Sequence, residues 1–443
     1  MGGLRTPIGV YKGQYKKIRP EFLGAAVLNE LSRKGYKADE IICGNAVGTG
    51  GNIGRLMALY STYGETVPTY TVDMQCASSA MAIGQAFRTI RSGMAHYIIA
   101  GGIESSSLQP ARVYSPEDSR FAQMKNAGKS AKERDVSSFK ETVNGLYMVA
   151  QFSPHTISPH AMLEGAHATA CKHNMTKAEL DYWTLRSHAL AVKARDEGLL
   201  GDCVLSSEVL KSELRQLLLR DREDLDQWLL SDSKEGRSLL LGDRNALGGD
   251  RGTLVHSDAV AIDAQYFNSP AFRDESIKSR ISQRLLDRMP PILQKDSLLT
   301  AANTCYTHDG AAFIGLTSEP QPFKIIDIMP WAGTPQLSPE GAWRSTEEIL
   351  KRNQLTMNDI DAVEWNEAFA VIDVLFERAY KDHVHKYNQL GGALAYGHAY
   401  GASGAVNVLH LMRALDQANG QYGVTAIAGA GGTGVAMLIE RHV

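Results

Sequence analysis

Apolar and polar positions alternate in blocks along this chain, and the blocks predict strands and helices in turn. From Ile41 to Gly54 the text IICGNAVGTGGNIG is a short apolar run followed by glycines, which predicts a strand ending in a turn. Its G-x-G-x-x-x-G spacing does not match the dinucleotide fingerprint. No convincing acidic residue ends a second strand about 20 residues later, so the plain turn reading holds. Next come TYTVDMQ, a predicted strand, CASSAMAIGQAFRTIRSG, a predicted helix, and AHYIIAGGIESSS, a strand running into a glycine turn. Alanines with Met81, Ile83 and Phe87 give the helix an apolar, small-residue surface suited to burial against a sheet. The same order returns near the C-terminus. YGASGAVNVLHLMRALDQANG opens a small-residue helix, and YGVTAIAGAGGTGVAMLIER reads as strand, glycine turn, strand. Two layered α/β halves of similar build follow from this.

The text between them is more charged. SPEDSRFAQMKNAGKSAKERDVSSFK reads as loop, and KAELDYWTLRSHALAVKARDEG as an amphipathic helix. A further helix puts Leu210, Leu214, Leu217 and Leu218 on one face, with Leu225, Trp228 and Leu229 on a following turn, docked on its own domain. The expected division is an N-terminal core half over 1–114, completed by about 296–318, an inserted domain over 115–295, and a C-terminal core half over 319–443.

With 443 residues, 44% of them apolar, the chain can bury a large core. A net charge of -3 from 46 basic and 49 acidic side chains leaves no footprint for nucleic acid, so a small-molecule partner is expected. Five cysteines without a CxxC pair argue against both a disulfide framework and a zinc cage, and fit a reducing compartment. No apolar run approaches the ~20 residues of a membrane span, and a cytoplasmic location is the expectation.

Cys76 differs from the other cysteines by position. It falls where a strand gives way to a helix, a place where the helix N-terminus favours a thiolate and successive N–H groups can hold an oxyanion. A nucleophile needs a base, and His398 stands in the glycine-dense stretch GGALAYGHAYGASGA. His160, His173 and His256 lie in charged text and are expected in solvent. In VEWNEAFAV, the amide of Asn366 can fix a water or an imidazole without competing for a proton, or can serve as a structural cap.

Together these stretches resemble the thiolase family over nearly the whole chain. RTPIGVYKG is similar to the family's opening motif, VDMQCASSAMAI to its nucleophile segment and AGGIESSS to the turn after it. TAANTCYTHDGAA, NEAFA, NQLGGALAYGHAYGASGA and AGAGGTGVAMLIER complete the set in the family's order. The resemblance implies a thiolase-like fold: two βαβαβ-type halves, each a five-stranded sheet, layered helix–sheet–helix–sheet–helix, with a loop domain over the site, in a homodimer or homotetramer. It implies a coenzyme A thioester as substrate and no permanently bound cofactor or metal. Cys76 would be the acylated nucleophile, His398 its base, and the N–H groups of Cys76 and Ala430 the oxyanion hole. Asn366 would hold a water that, with His398, polarises the second thioester.

Departures from the pattern are specific. The second cysteine of the family's CxGGGxG turn, its α-proton acid–base, is replaced by Ala428, and groups of that kind typically contribute about 10²–10⁴-fold. Cys305 and Tyr306 stand for the usual serine and glycine, putting a phenol where the pantetheine arm would run. In PHAMLEGAHA the family's histidine–methionine pair becomes Ala161 and Met162, the following triplet reads Ala166, His167 and Ala168, and Ala399 replaces a proline. Met1 comes almost at the RTP motif, so the family's opening strand is expected to be shortened or missing, as it is if the chain's start is internal. Three readings stand: an acyltransferase working through acyl-Cys76 with ordinary Claisen condensation impaired; a conventional thiolase with Cys305 or a histidine as replacement base; and a non-catalytic homologue that binds acyl-CoA or a partner enzyme.

Overall fold

Strands that read as near-continuous apolar runs are those covered by helices on both faces, and the strands Tyr97–Ser105, His308–Thr317 and Tyr422–Gly429, buried along nearly their whole length, obey that rule. The computed structural model describes residues 1–121, 146–147, 151–154, 158, 160–230, 270–293 and 296–442, with backbone alone for 146–147 and 223–230. In order, the strands are β1 (Gly2–Arg5), β2 (Gly9–Val10), β3 (Glu40–Gly44), β4 (Thr69–Val72), β5 (Tyr97–Ser105), β6 (Arg112–Val113), β7 (Leu146–Tyr147), β8 (His308–Thr317), β9 (Phe323–Ala332), β10 (Ala362–Trp365), β11 (Tyr422–Gly429) and β12 (Thr433–Arg441). The first sheet runs β1-β8-β5-β3-β4, with the short β2 also on β8; the second runs β10-β11-β12-β9. A small ladder joins β6 to β7. β3 is parallel to β4 and β5, with Ile41 opposite Thr69 and Ile99, whereas β8 is antiparallel to β5 and β1. In the second sheet β10 lies parallel to β11, and β11 turns back antiparallel into β12 with Ala428 opposite Gly434.

Helices fill the remaining layers: α1 (Pro20–Arg33), α2 (Ile53–Tyr60), α3 (Ser78–Arg91), α4 (Ala161–Lys172), α5 (Lys177–Asp196), α6 (Ser207–Leu230), α7 (Glu340–Arg352), α8 (Ala370–Ala379) and α9 (Ser403–Ala418). α3 packs on β3 and β5, α9 on β10 and β11, and the two helices meet between the sheets. α1 and α2 cover the first sheet, and α7 covers β9, β11 and β12 of the second. The expected helix–sheet–helix–sheet–helix order is therefore present. The middle layer is thin because its residues are small. Ala80, Ala82 and Ala86 are fully buried, and a Cβ on Gly404 would lie 2.5 Å from the Ala80 nitrogen.

Two sequence expectations change in detail. Among the described residues the sheets are not five strands each: the first has five on its main path plus β2, and the second has four. The helix expected from Cys76 starts at Ser78, and β4 stops at Val72, because Gln75 takes a left-handed φ of 53° and Gln75–Ala77 close a 3₁₀ turn. The opening strand is present and short, four residues paired with β8.

The chain divides into two compact units, Met1–Leu205 with Arg273–Val443, and Ser206–Phe272. In the second, α6 buries Leu210, Leu214 and Leu217 and leaves Leu218 half-buried. The Phe272 N–H donates to Ser207 Oγ at 2.8 Å. Side chains of Leu225, Trp228 and Leu229, residue His256 and most of the expected loop after Phe121 lie outside the described residues. α5 forms as its pattern predicts, opened by a Thr176–Glu179 capping box and burying Leu180, Trp183, Ser187, Ala191 and Ala194.

Candidate active site

Cys76 sits in the turn between β4 and α3, and side chains of that turn hold its shape. Gln75 N donates to Asp73 Oδ1 (2.8 Å), Met74 N to Ser78 Oγ (2.9 Å), and Ser78 Oγ back to the Gln75 carbonyl (2.6 Å). The turn packs on β11 and on α9, which follows the His398 loop. A Cβ on Gly429 would lie 3.2 Å from the Met74 carbonyl, so the β11–β12 turn passes directly over the nucleophile segment.

The thiol of Cys76 is buried, and burial pushes its pKa up to about 12 with the Glu104 charge adding to the rise. The N–H groups of Cys76 itself and of Ala430 act on the sulfur in the opposite direction. This corrects the expectation of a thiolate favoured by the helix end: loss of water outweighs a dipole whose contribution is confined to the first turn. Burial also lowers His398, to about 3, with neighbouring His308 adding to the effect. Thiol and imidazole are thus both neutral at pH 7. No hydrogen bond joins Cys76 Sγ to His398 among the described residues.

His398 is fixed on three sides. Its backbone N–H donates to His308 Nδ1 at 3.1 Å, its Nδ1 lies 2.7 Å from Ser403 Oγ, and its Nε2 lies 3.5 Å from Asn366 Nδ2. Ser403 Oγ also donates to the Ala399 carbonyl at 3.0 Å, which can only accept. The Ser403 proton is therefore committed, the ring donates from Nδ1–H, and Nε2 keeps its lone pair, the tautomer a base requires. Asn366 follows β10, with its N–H on the Ala426 carbonyl at 2.9 Å.

The carboxylate of Glu104 ties the histidine loop to the first sheet. It accepts from Asn45 Nδ2, Ala46 N and Gly401 N, each at 3.0 Å. A Cβ on Gly102 would lie 1.9 Å from the Gly401 carbonyl, so only glycine permits that approach. Glu367 does the same for the stretch before the loop, accepting from Ser187 Oγ, Asn388 Nδ2 and Leu394 N.

The other sequence-derived positions fall around this cluster. Ala430 is buried in the β11–β12 turn, and Ala428 is buried at the end of β11 in a cluster against which Met162 and Cys305 pack. Cys305 donates its thiol to the Ala393 carbonyl at 3.0 Å, and burial, with Glu367 and Cys76 nearby, holds its pKa well above the ordinary range. Tyr306 is 51% exposed. His173, expected in solvent, is half-buried with Nε2 2.8 Å from Glu340 Oε1. Sequence reasoning passed over Ser403, His308 and Glu104, although a glutamate inside the apolar run of β5 was a visible signal. Among the described residues no three histidine, cysteine or acidic side chains converge as a metal site, and no helix is long and apolar enough to cross a membrane.

Known proteins match over the same span. The family description "Thiolase, N-terminal domain" matches residues 1–216 and "Thiolase, C-terminal domain" matches 323–441. A Staphylococcus epidermidis protein assigned as an acetyl-CoA C-acetyltransferase, VraB, is 28% identical over 99% of this chain and 96% of its own length. The VraB protein of Staphylococcus aureus strain COL is 27% identical over 99% and 97%. In fold, the chain is similar to the acetyl-CoA acetyltransferase of Bacillus anthracis, with a TM-score of 0.75 at 23% identity, covering 100% of this chain and 98% of that one. Human mitochondrial 3-ketoacyl-CoA thiolase gives 0.73 at 22% identity with the same coverage. With both family domains matched in order and the layered double-sheet core in place, this chain belongs to the thiolase family of acyltransferases.

Proposed function

We propose that this chain takes an acyl group from a coenzyme A thioester onto Cys76 and passes it to an acceptor, with ordinary, non-decarboxylative Claisen condensation slowed by Ala428. The observation that carries the reading is the joining of the two halves at Cys76: the β11–β12 turn that bears Ala430 passes over the nucleophile segment, and Ser403 holds His398 in the tautomer a base requires. His398 Nε2 removes the thiol proton as sulfur attacks the thioester carbonyl, so the neutral pair never has to separate charge before bond formation. The N–H groups of Cys76 and Ala430 receive the carbonyl oxygen as it becomes an oxyanion. Collapse of that intermediate breaks the carbon–sulfur bond to coenzyme A, whose thiolate takes the proton back from His398. In the second half of the reaction a water on Asn366 donates to the acceptor's carbonyl oxygen, and His398 joins it as a donor once its Nε2 again carries a proton.

A methyl group at 428 moves no proton. Acyl transfer, thioester hydrolysis, or condensation with a carbanion made by decarboxylation needs none moved there. Cys305 is a poor replacement base: its thiol proton is engaged by Ala393 and its thiolate is strongly disfavoured. No permanent cofactor enters the scheme. The test is the intact mass after incubation with acetyl-CoA, with a parallel assay of α-proton exchange in deuterated water. An acetyl gain lost in Cys76→Ser, without exchange, is the expected result. Rapid exchange would restore the conventional thiolase reading, and no mass gain from any of several acyl-CoAs would leave only a binding role.

A further inference from the structure

Asn366 has a second set of neighbours that the scheme above does not use. Glu364 lies two residues earlier on β10, on the same face, and His410 lies two turns along α9 from Ser403. Both are deeply buried, at 1% and 2% exposure. His410 Nδ1 and Glu364 Oε1 are 3.8 Å apart, too far for a hydrogen bond. Burial raises the carboxyl and lowers the imidazole, which favours the uncharged form of each.

Three polar atoms here have no partner: Glu364 Oε2, His410 Nε2 and Asn366 Oδ1. Their residues line one cavity, together with Ser403, Asn407 and Tyr396. About 10 Å³ of it is open to the centre of a water molecule, room for one. Buried polar atoms are rarely orphaned, and three around one small polar hole match the two to four partners that an internal water requires.

We propose that Glu364 and His410 hold a single internal water against Asn366 Oδ1, and that this unit fixes the Asn366 amide with its NH₂ toward His398 Nε2. The inference rests on the acyl-transfer reading of Cys76 and His398. The water donates one O–H to Asn366 Oδ1 and the other to Glu364 Oε2, and accepts from His410 Nε2–H, so every orphan is satisfied. An amide free to turn would instead present its carbonyl to the Nε2 lone pair and spoil the site for the acceptor's oxygen. Ser403 already sets the ring tautomer, so loading of Cys76 is insensitive to the water and the onward step is sensitive. Glu364 and His410 are positioning residues.

A high-resolution crystal structure of the wild-type protein should show one water within hydrogen-bond distance of all three atoms; no density there overturns the proposal. Pre-steady-state kinetics supply the second arm. In Glu364→Leu and His410→Phe, acetyl loading onto Cys76 should change less than about threefold, while transfer to the acceptor falls about 10–100-fold, the scale of a misplaced catalytic group. Glu364→Gln, which can still bind the water, should stay within about threefold of wild type in both steps, and it keeps the question open to measurement if the larger changes prevent folding. Transfer unchanged in all three variants overturns the proposal. Failure of the wild-type protein to load any acyl group overturns the acyl-transfer reading instead, and the crystallographic arm still decides on the water.

Discussion

Cys76 is held between opposing influences: two backbone N–H groups favour its anion, while a dry pocket and the nearby carboxylate of Glu104 oppose it. Opposition wins, which fixes the sign of its pH dependence. Because the thiol pKa is raised to about 12, the thiolate fraction climbs about tenfold per pH unit all the way from 7 to 10. Alkylation of Cys76 by iodoacetamide, followed on its peptide by mass, should rise without a plateau over that range; a plateau near pH 7 would reveal a preformed thiolate–imidazolium pair. His398, lowered to about 3, stays neutral from pH 5 to 8 and puts no acid limb in that window. His398→Ala should slow acetyl loading about 10²–10⁴-fold, as loss of a general base does. Ala428→Cys should raise α-proton exchange of bound acetyl-CoA about 100-fold or more, read by mass in deuterated water. Position singled out Cys76, between a strand and a helix, and His398, in a glycine-dense stretch, as candidates from text alone. The pKa signs were not legible, because desolvation depends on what packs around a thiol, and Ser403 became a partner only once the helix placed it one turn from the ring.

At the level of elements, α3 and α9 were readable because small residues recur along both, and small residues are what let two helices share one layer. The start of α3 was not, since nothing in the letters Asp-Met-Gln signals a left-handed Gln75. Strand counts also escaped, because the two-residue β2 exists only by pairing with β8. Gly404 tests the shared layer with opposing expectations. Propensity alone predicts that Gly404→Ala stabilises α9 by about 1 kcal/mol. The Cβ would stand 2.5 Å from the Ala80 nitrogen, so overpacking should win and cost about 1–3 kcal/mol. Thermal unfolding should therefore shift downward and acetyl loading should slow, because α9 carries the His398 loop at its start. An upward shift would mean the helices part without cost.

Across the whole molecule, Glu104 joins the first sheet to a loop of the second half through the Gly401 N–H. Burial raises its pKa from 4.5 to about 7 despite the N–H groups it accepts from. Between those values the folded state holds a proton that the unfolded chain has released, so this group's contribution to stability falls as pH rises from about 4.5 to about 7 and is level above. The difference in unfolding temperature between wild type and Glu104→Gln should shrink or reverse from pH 5 to 8; a difference independent of pH would remove the raised pKa. The two-half plan was visible in the repeated order of strand, small-residue helix and glycine turn. The stitching between halves was not, since each stitch unites residues hundreds of positions apart. One consequence reaches beyond stability. Because Cys76 comes from the first half of the chain and His398 and Ala430 from the second, neither portion alone carries the proposed centre. A slip in how the halves meet would silence turnover before it unfolded anything, so selection for catalysis is also selection for faithful assembly.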